Sequence, residues 1–145
     1  MDPINPNIVW TGGIDLFRSN NGGVSWGLAS VWWANASKAA YNHADHHVLV
    51  FHPNYDGANN RTLYSGNDGG LYRTDDARAD VTTDTCSDTG SKVPWVSLNN
   101  GLGITQYYYG AVYPGGGTFF GGAQDNGTTR GTVAAGANAW ATLMG

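Results

Sequence analysis

Short apolar stretches alternate along the chain with turns built from glycine, asparagine and aspartate. Ile8-Val9-Trp10-Thr11-Gly12 is followed by Leu16-Phe17-Arg18-Ser19 and then by Trp26. The same plan returns in His46 to Pro53, Thr62-Leu63-Tyr64-Ser65-Gly66, Leu71-Tyr72-Arg73-Thr74 and Trp95. A third pass runs from Ile104 to Pro114, through Thr118-Phe119-Phe120-Gly121-Gly122 and a weaker third strand, to Trp140. Runs this short, rich in β-branched and aromatic residues and bounded by turn formers, predict strands. The repeat spacing, roughly 45–60 residues, lies in the range of propeller blades. Each pass reads as strands A to D of one four-stranded blade. Blade one covers residues 2–28 and lacks its strand A, blade two covers 46–98 and blade three 104–143. The expected fold is all-β, a partial β-propeller of about two and three-quarter blades where closed rings have roughly 4–8. Such an opening leaves strand edges unpaired. The expectation is a piece of a longer protein, or copies that associate to close a ring. The long connection at residues 29–42 has room for a short helix, and residues 79–93 read as a polar excursion loop.

Composition supports this picture. The chain has 145 residues, of which 22 are glycine, six tryptophan and eight tyrosine, a profile of short strands and tight turns rather than helical bundles. Only 12% of residues are charged and the formal net charge is −4, which excludes a basic nucleic-acid footprint. No apolar run approaches the ~20 residues that span a bilayer. The opening Met1-Asp2-Pro3-Ile4-Asn5-Pro6 has neither the basic nor the apolar region of a signal peptide. Low lysine with abundant asparagine, glycine, threonine and tryptophan suits an extracellular or periplasmic bacterial protein. The single Cys86 cannot form an internal disulfide. It reads as a free thiol, since no His/Asn partner motif accompanies it. Asn35, Asn60 and Asn126 head N-x-S/T sequons, incidental in a bacterial protein.

Strand alternation sorts the connections. The D–A and B–C connections emerge at one face of a blade, and the A–B and C–D turns at the other. The first face then collects Trp32-Trp33, His43 to His47, Leu98 to Gln106, Gly13-Ile14-Asp15, Asn67-Asp68-Gly69-Gly70 and Gln124-Asp125-Asn126-Gly127.

Asp68 and Asp125 occupy matching turns. One reading is turn chemistry, each carboxylate capping its own backbone. The other is a carboxylate pair at a glycosidic bond, about 5–5.5 Å apart for retention or about 6.5–9.5 Å for inversion. Asp45 is a third candidate acid. In an extended strand His43, Asp45 and His47 share one side and His46 takes the other. A hydrogen-bonded His–Asp pair closing the blade, a ligand-binding role for His43 and His46, and a metal site at His43, Asp45 and His47 are the three readings of this cluster. No cofactor is expected. Trp32 and Trp33 can stack on sugar rings, with Gln124 and Asn126 as further ligand-binding candidates. Tyr107, Tyr108 and Tyr109 can stack in the same way, but they lie on an A strand, where alternate tyrosines are more often core.

Ser19-Asn20-Asn21-Gly22-Gly23-Val24-Ser25-Trp26 reads S-x-N-x-G-x-S-W and closely resembles the Asp-box, S-x-D-x-G-x-T-W, of sialidase-like propellers. The short polar Asn21 bonds neighbouring backbone N–H groups. Gly23 takes a left-handed position, and Trp26 opens the next strand and packs between blades. Ser19, Asn21, Gly23 and Trp26 are thus structural. Thr74-Asp75-Asp76 begins a second box that the insertion interrupts. With His43-Ala44-Asp45-His46-His47, Asn67 to Arg73, Leu98 to Leu102 and Gly122 to Gly127 in this order, the chain resembles bacterial Asp-box (BNR) repeat proteins. These are similar to the propellers of sialidases, xyloglucanases and sortilin-type (VPS10) domains. The resemblance implies a glycosyl hydrolase-like propeller. It departs from sialidases in lacking their three-arginine clamp and R-I-P motif, because Arg18 and Arg73 are repeat-equivalent strand residues. It is similar to xyloglucanases in placing Asp68 and Asp125 on blade-edge turns. Two functions follow as expectations. One is glycan binding or hydrolysis at the face bearing Asp45, Asp68 and Asp125. The other is a non-catalytic protein-interaction or assembly module that completes its ring with other chains.

Overall fold

The structure, a computed structural model, describes residues 1–103 and 105–144. Ile104, expected to open the third repeat, lies outside the described residues. The chain divides into two compact units, Met1–Leu102 and Gly103–Gly145. The described residues are all-β, in three antiparallel sheets.

The first unit holds two sheets. One has the order β1 (Val9–Gly12), β2 (Leu16–Ser19), β3 (Gly27–Leu28). The other has the order β4 (His46–Phe51), β5 (Leu63–Asn67), β6 (Gly70–Thr74), β7 (Val96–Ser97). These strands coincide with the predicted apolar runs. In β5 the alternation places Leu63, Ser65 and Asn67 inward. The main core joins both sheets through Trp10, Leu16, Leu63, Tyr72, Val93 and Trp95. Trp10 and Trp95 meet edge to face at 6.3 Å. Trp95 also donates its indole N–H to the Ala29 carbonyl at 2.9 Å, so this buried aromatic has both its apolar and its polar needs met.

Residues 29–42 form no helix. Asn35 sets a turn instead, accepting the Ser37 N–H on its side chain and the Lys38 N–H on its carbonyl. A further turn follows from Lys38 to Tyr41. Turn-forming asparagine and serine beside two tryptophans outcompete helix propensity here. The segment lies over β2 and β3, burying Leu28, Val31 and Ala40 against Phe17.

The predicted excursion at 79–93 is anchored at both ends. Leu28 and Thr82 exchange backbone hydrogen bonds of 2.7 and 3.3 Å, so the insertion covers the outer edge of β3. Val93 at its end is fully buried. Arg78 at its start donates to the Asp2 carboxylate, to the Tyr55 hydroxyl and to the Gly57 carbonyl.

The second unit is one sheet, in the order β11 (Trp140–Met144), β10 (Thr128–Thr132), β9 (Thr118–Ala123), β8 (Tyr107–Val112). Tyr107, Tyr108 and Tyr109 are exposed, against the expectation of core positions. A lone sheet has no second layer within its unit to cover them. Among the described residues no helix is long and apolar enough to cross a membrane.

Candidate functional site

The Asp-box-like turn forms as its residues require. Ser19 Oγ accepts the N–H of Asn21 at 3.2 Å and of Gly23 at 2.8 Å, and donates to Asn21 Oδ1. Asn21 Oδ1 accepts the Ser25 N–H at 2.9 Å. Gly22 and Gly23 sit at φ 68° and 94°. Trp26 stands immediately before β3 but does not pack between sheets, which corrects the expectation. Its indole N–H turns back onto the Gly23 carbonyl and the ring stays partly exposed. The buried role falls to the repeat-equivalent Trp95. Thr74 and Asp76 reproduce the first half of the same turn, accepting the N–H groups of Asp76 and Arg78.

At the opposite end of these sheets, hydrogen bonds tie together the connections that alternation placed there. The His46 N–H donates to the Gly13 carbonyl at 2.8 Å, and Asn67 Nδ2 donates to Asn42 Oδ1 at 2.7 Å. Asn99 accepts the Leu71 N–H and donates to the Gly69 carbonyl.

The cluster at 43–47 is not one extended strand. Asp45 takes φ 61°, β4 begins at His46, and the register shifts between His46 and Val48. The predicted common side of His43, Asp45 and His47 is therefore lost. Among the described residues no three His, Cys, Asp or Glu side chains converge as metal ligands. The three histidines take separate positions. His43 lies half-buried against Gly69, whose missing side chain leaves it room. His46, expected among the ligand-binding residues, turns inward, with Nδ1 2.8 Å from Ser65 Oγ. Burial, aided by the neighbouring His43 and His47, pushes its pKa down to about 4. His47 is exposed, and its Nε2 lies 2.5 Å from Asp68 Oδ1. A His–Asp pair does close this end of the sheet, but the carboxylate is Asp68 and not Asp45, which is exposed.

Neither turn aspartate caps its own turn. Asn67 Oδ1 accepts the Gly69 N–H at 3.0 Å, which leaves the Asp68 carboxylate to His47. In the second unit Asn126 Nδ2 donates to the Gln124 carbonyl at 2.9 Å, while Asp125 is exposed at φ 55°. Gln124 is half-buried, with its backbone N–H on the Gln106 carbonyl. Asp125, Gln124 and Asn126 belong to the second unit.

Trp32 and Trp33 are 46% and 43% exposed, directly after Ala29, Ser30 and Val31 at 0%. Sequence reasoning missed what holds them, because it treated Asp15 only as part of a turn. The buried Asp15 carboxylate accepts the Trp32 N–H at 3.0 Å and the Ser30 hydroxyl at 3.1 Å. Burial raises the Asp15 pKa, against the lowering effect of these two hydrogen bonds. The matching position of the second repeat is Gly70, so the repeat pattern carries no signal for Asp15.

Comparison with family models finds no match to this chain, and comparison with curated proteins finds none either.

Proposed function

We propose that the chain is a segment of an Asp-box β-propeller that binds glycans, without hydrolysing them, through the face bearing Trp32, Trp33 and the His47–Asp68 pair. The exposed tryptophan pair on a fully buried stem carries this reading. Flat indole faces suit the apolar C–H faces of pyranose rings, and an exposed imidazole–carboxylate pair offers sugar hydroxyls both hydrogen-bond senses. The blade reading is supported by the strand orders of the three sheets and by the hydrogen-bonded turn at Ser19 to Trp26.

Binding is favoured over hydrolysis by how Asp15 and Asp68 are used. A glycosidase needs a protonated acid within reach of the leaving oxygen. Asp15, whose proton affinity burial raises, is committed to Ser30 and Trp32. Asp68 is committed to His47. The test is a glycan microarray probed with the wild type and with W32A/W33A, alongside a reducing-sugar assay. Glycan capture lost at least tenfold in the double variant, with no sugar release, is the expected result. Release that D68N or D125N abolishes would make the chain a hydrolase. No capture by the wild type would refute glycan binding.

A second reading, an assembly module, rests on a different observation. Val48, Val50, Leu71 and Val96 stand 40–52% exposed on the side of β4–β7 facing away from the core. Apolar side chains exposed together on one sheet face mark interaction surfaces. A discrete dimer or trimer by light scattering supports it, and a monomer opposes it.

A further inference from the structure

Resting on the glycan-binding reading, we infer that Asp15 is the positioning residue of the tryptophan platform, and that the platform takes a pyranose presenting an apolar ring face. The chain passes from complete burial at Val31 to an exposed ring at Trp32 within one residue. A backbone making that transition needs its polar groups satisfied at the boundary. The Val31 N–H is held by the Ala40 carbonyl at 3.0 Å, and the Trp32 N–H by Asp15. Ser30 extends the anchor, since its Oγ accepts the Leu16 N–H at 2.8 Å while donating to Asp15. One buried carboxylate thus couples the β1–β2 turn to the stem that carries both indoles. The device fixes direction, because an amide N–H bonded at this distance restricts the orientation of the Trp32 backbone. A pre-set aromatic platform loses less freedom when a sugar docks on it than a mobile one does.

The anchor needs an acceptor oxygen, not a charge. Asp15→Asn retains Oδ1 and keeps both hydrogen bonds; Asp15→Ala removes them. The experiment combines amide hydrogen exchange at Trp32 with acrylamide quenching of Trp32 and Trp33, isolated by difference from W32F/W33F, and titration with cellohexaose. The expected wild-type result is slow exchange of the Trp32 amide. Asp15→Asn preserves slow exchange and quenching, whereas Asp15→Ala raises both several-fold and weakens cellohexaose binding about tenfold. Fast Trp32 exchange in the wild type, or Asp15→Ala quenching equal to wild type, overturns the inference. Should Asp15→Ala fail to fold, wild-type exchange and Ser30→Ala, which removes the hydroxyl from the anchor, decide it. If cellohexaose fails to bind the wild type while the exchange and quenching results hold, the positioning stands and the ligand class falls.

Discussion

His47 Nε2 and Asp68 Oδ1 lie 2.5 Å apart, joining the start of β4 to the β5–β6 turn. The pair exists because Asn67 takes over the capping of that turn. A carboxylate usually absorbed by its own backbone is thereby presented at the surface with an imidazole partner.

Solvent around His47, whose side chain is 66% exposed, limits what the pair adds to stability. A double-mutant cycle of H47A and D68N should give a coupling of about 0.2–1 kcal/mol, falling away in high salt. Urea denaturation at low and high ionic strength checks this. A coupling that survives high salt would mean the pair is shielded.

The turn from Ser19 to Trp26 makes a sharper forecast. Asn21→Asp keeps the oxygen that accepts the Ser25 N–H and should change stability by less than about 0.5 kcal/mol. Asn21→Ala removes that acceptor and should cost about 1–2 kcal/mol. Gly23→Ala forces a side chain onto φ 94° and should cost at least about 1 kcal/mol. Equilibrium unfolding of the three variants tests the order.

Acid sensitivity has two sources with separate pH windows. Burial raises the Asp2 pKa, but hydrogen bonds from Arg78, Tyr55 and the Ile4 and Asn5 backbone outweigh it and hold it at about 2, against 3.8 ordinarily. A depressed carboxylate stabilises the fold above its unfolded pKa, so this contribution, roughly 2 kcal/mol, disappears as pH falls from about 4 to about 2. His46 is kept neutral at about 4 in the fold and takes a proton near 6.5 when unfolded. The unfolded state therefore binds more protons between these values, and stability should fall as pH drops from 6.5 to 4, by at most roughly 3 kcal/mol. D2N should remove the lower slope and H46N the upper one in urea melts across pH.

Arg78 has a structural role that can be isolated. R78M leaves the buried Asp2 without its guanidinium and should cost about 3–5 kcal/mol. Thermal unfolding of R78M and of R78M/D2N checks this, the second substitution restoring part of the loss.

The strands were legible because each is a short apolar run between glycine-rich turns, and Leu63 to Gly66 or Thr118 to Gly122 need no distant partner to be read. The Asp-box-like turn was legible because its bonds are local. What escaped depends on distance along the chain. Thr82 meets Leu28 across more than fifty positions, and no pattern in 79–93 announces it. The inward turn of His46 follows from a register shift, and one displaced residue reverses which side a strand presents. Asn67 and Asp68 are both competent caps, so composition alone could not assign the task. Asp15 looked like a turn residue because its partners, Ser30 and Trp32, arrive from another connection.

The central claim, a glycan-binding face centred on Trp32 and Trp33, is tested most directly by following the six tryptophan indole N–H resonances during titration with cellohexaose and chitohexaose. Saturable shifts are expected at Trp32 and Trp33, with Trp10, Trp95 and Trp26 unmoved. No shift at either residue, or shifts confined to Trp26 beside the Asp-box-like turn, would contradict it.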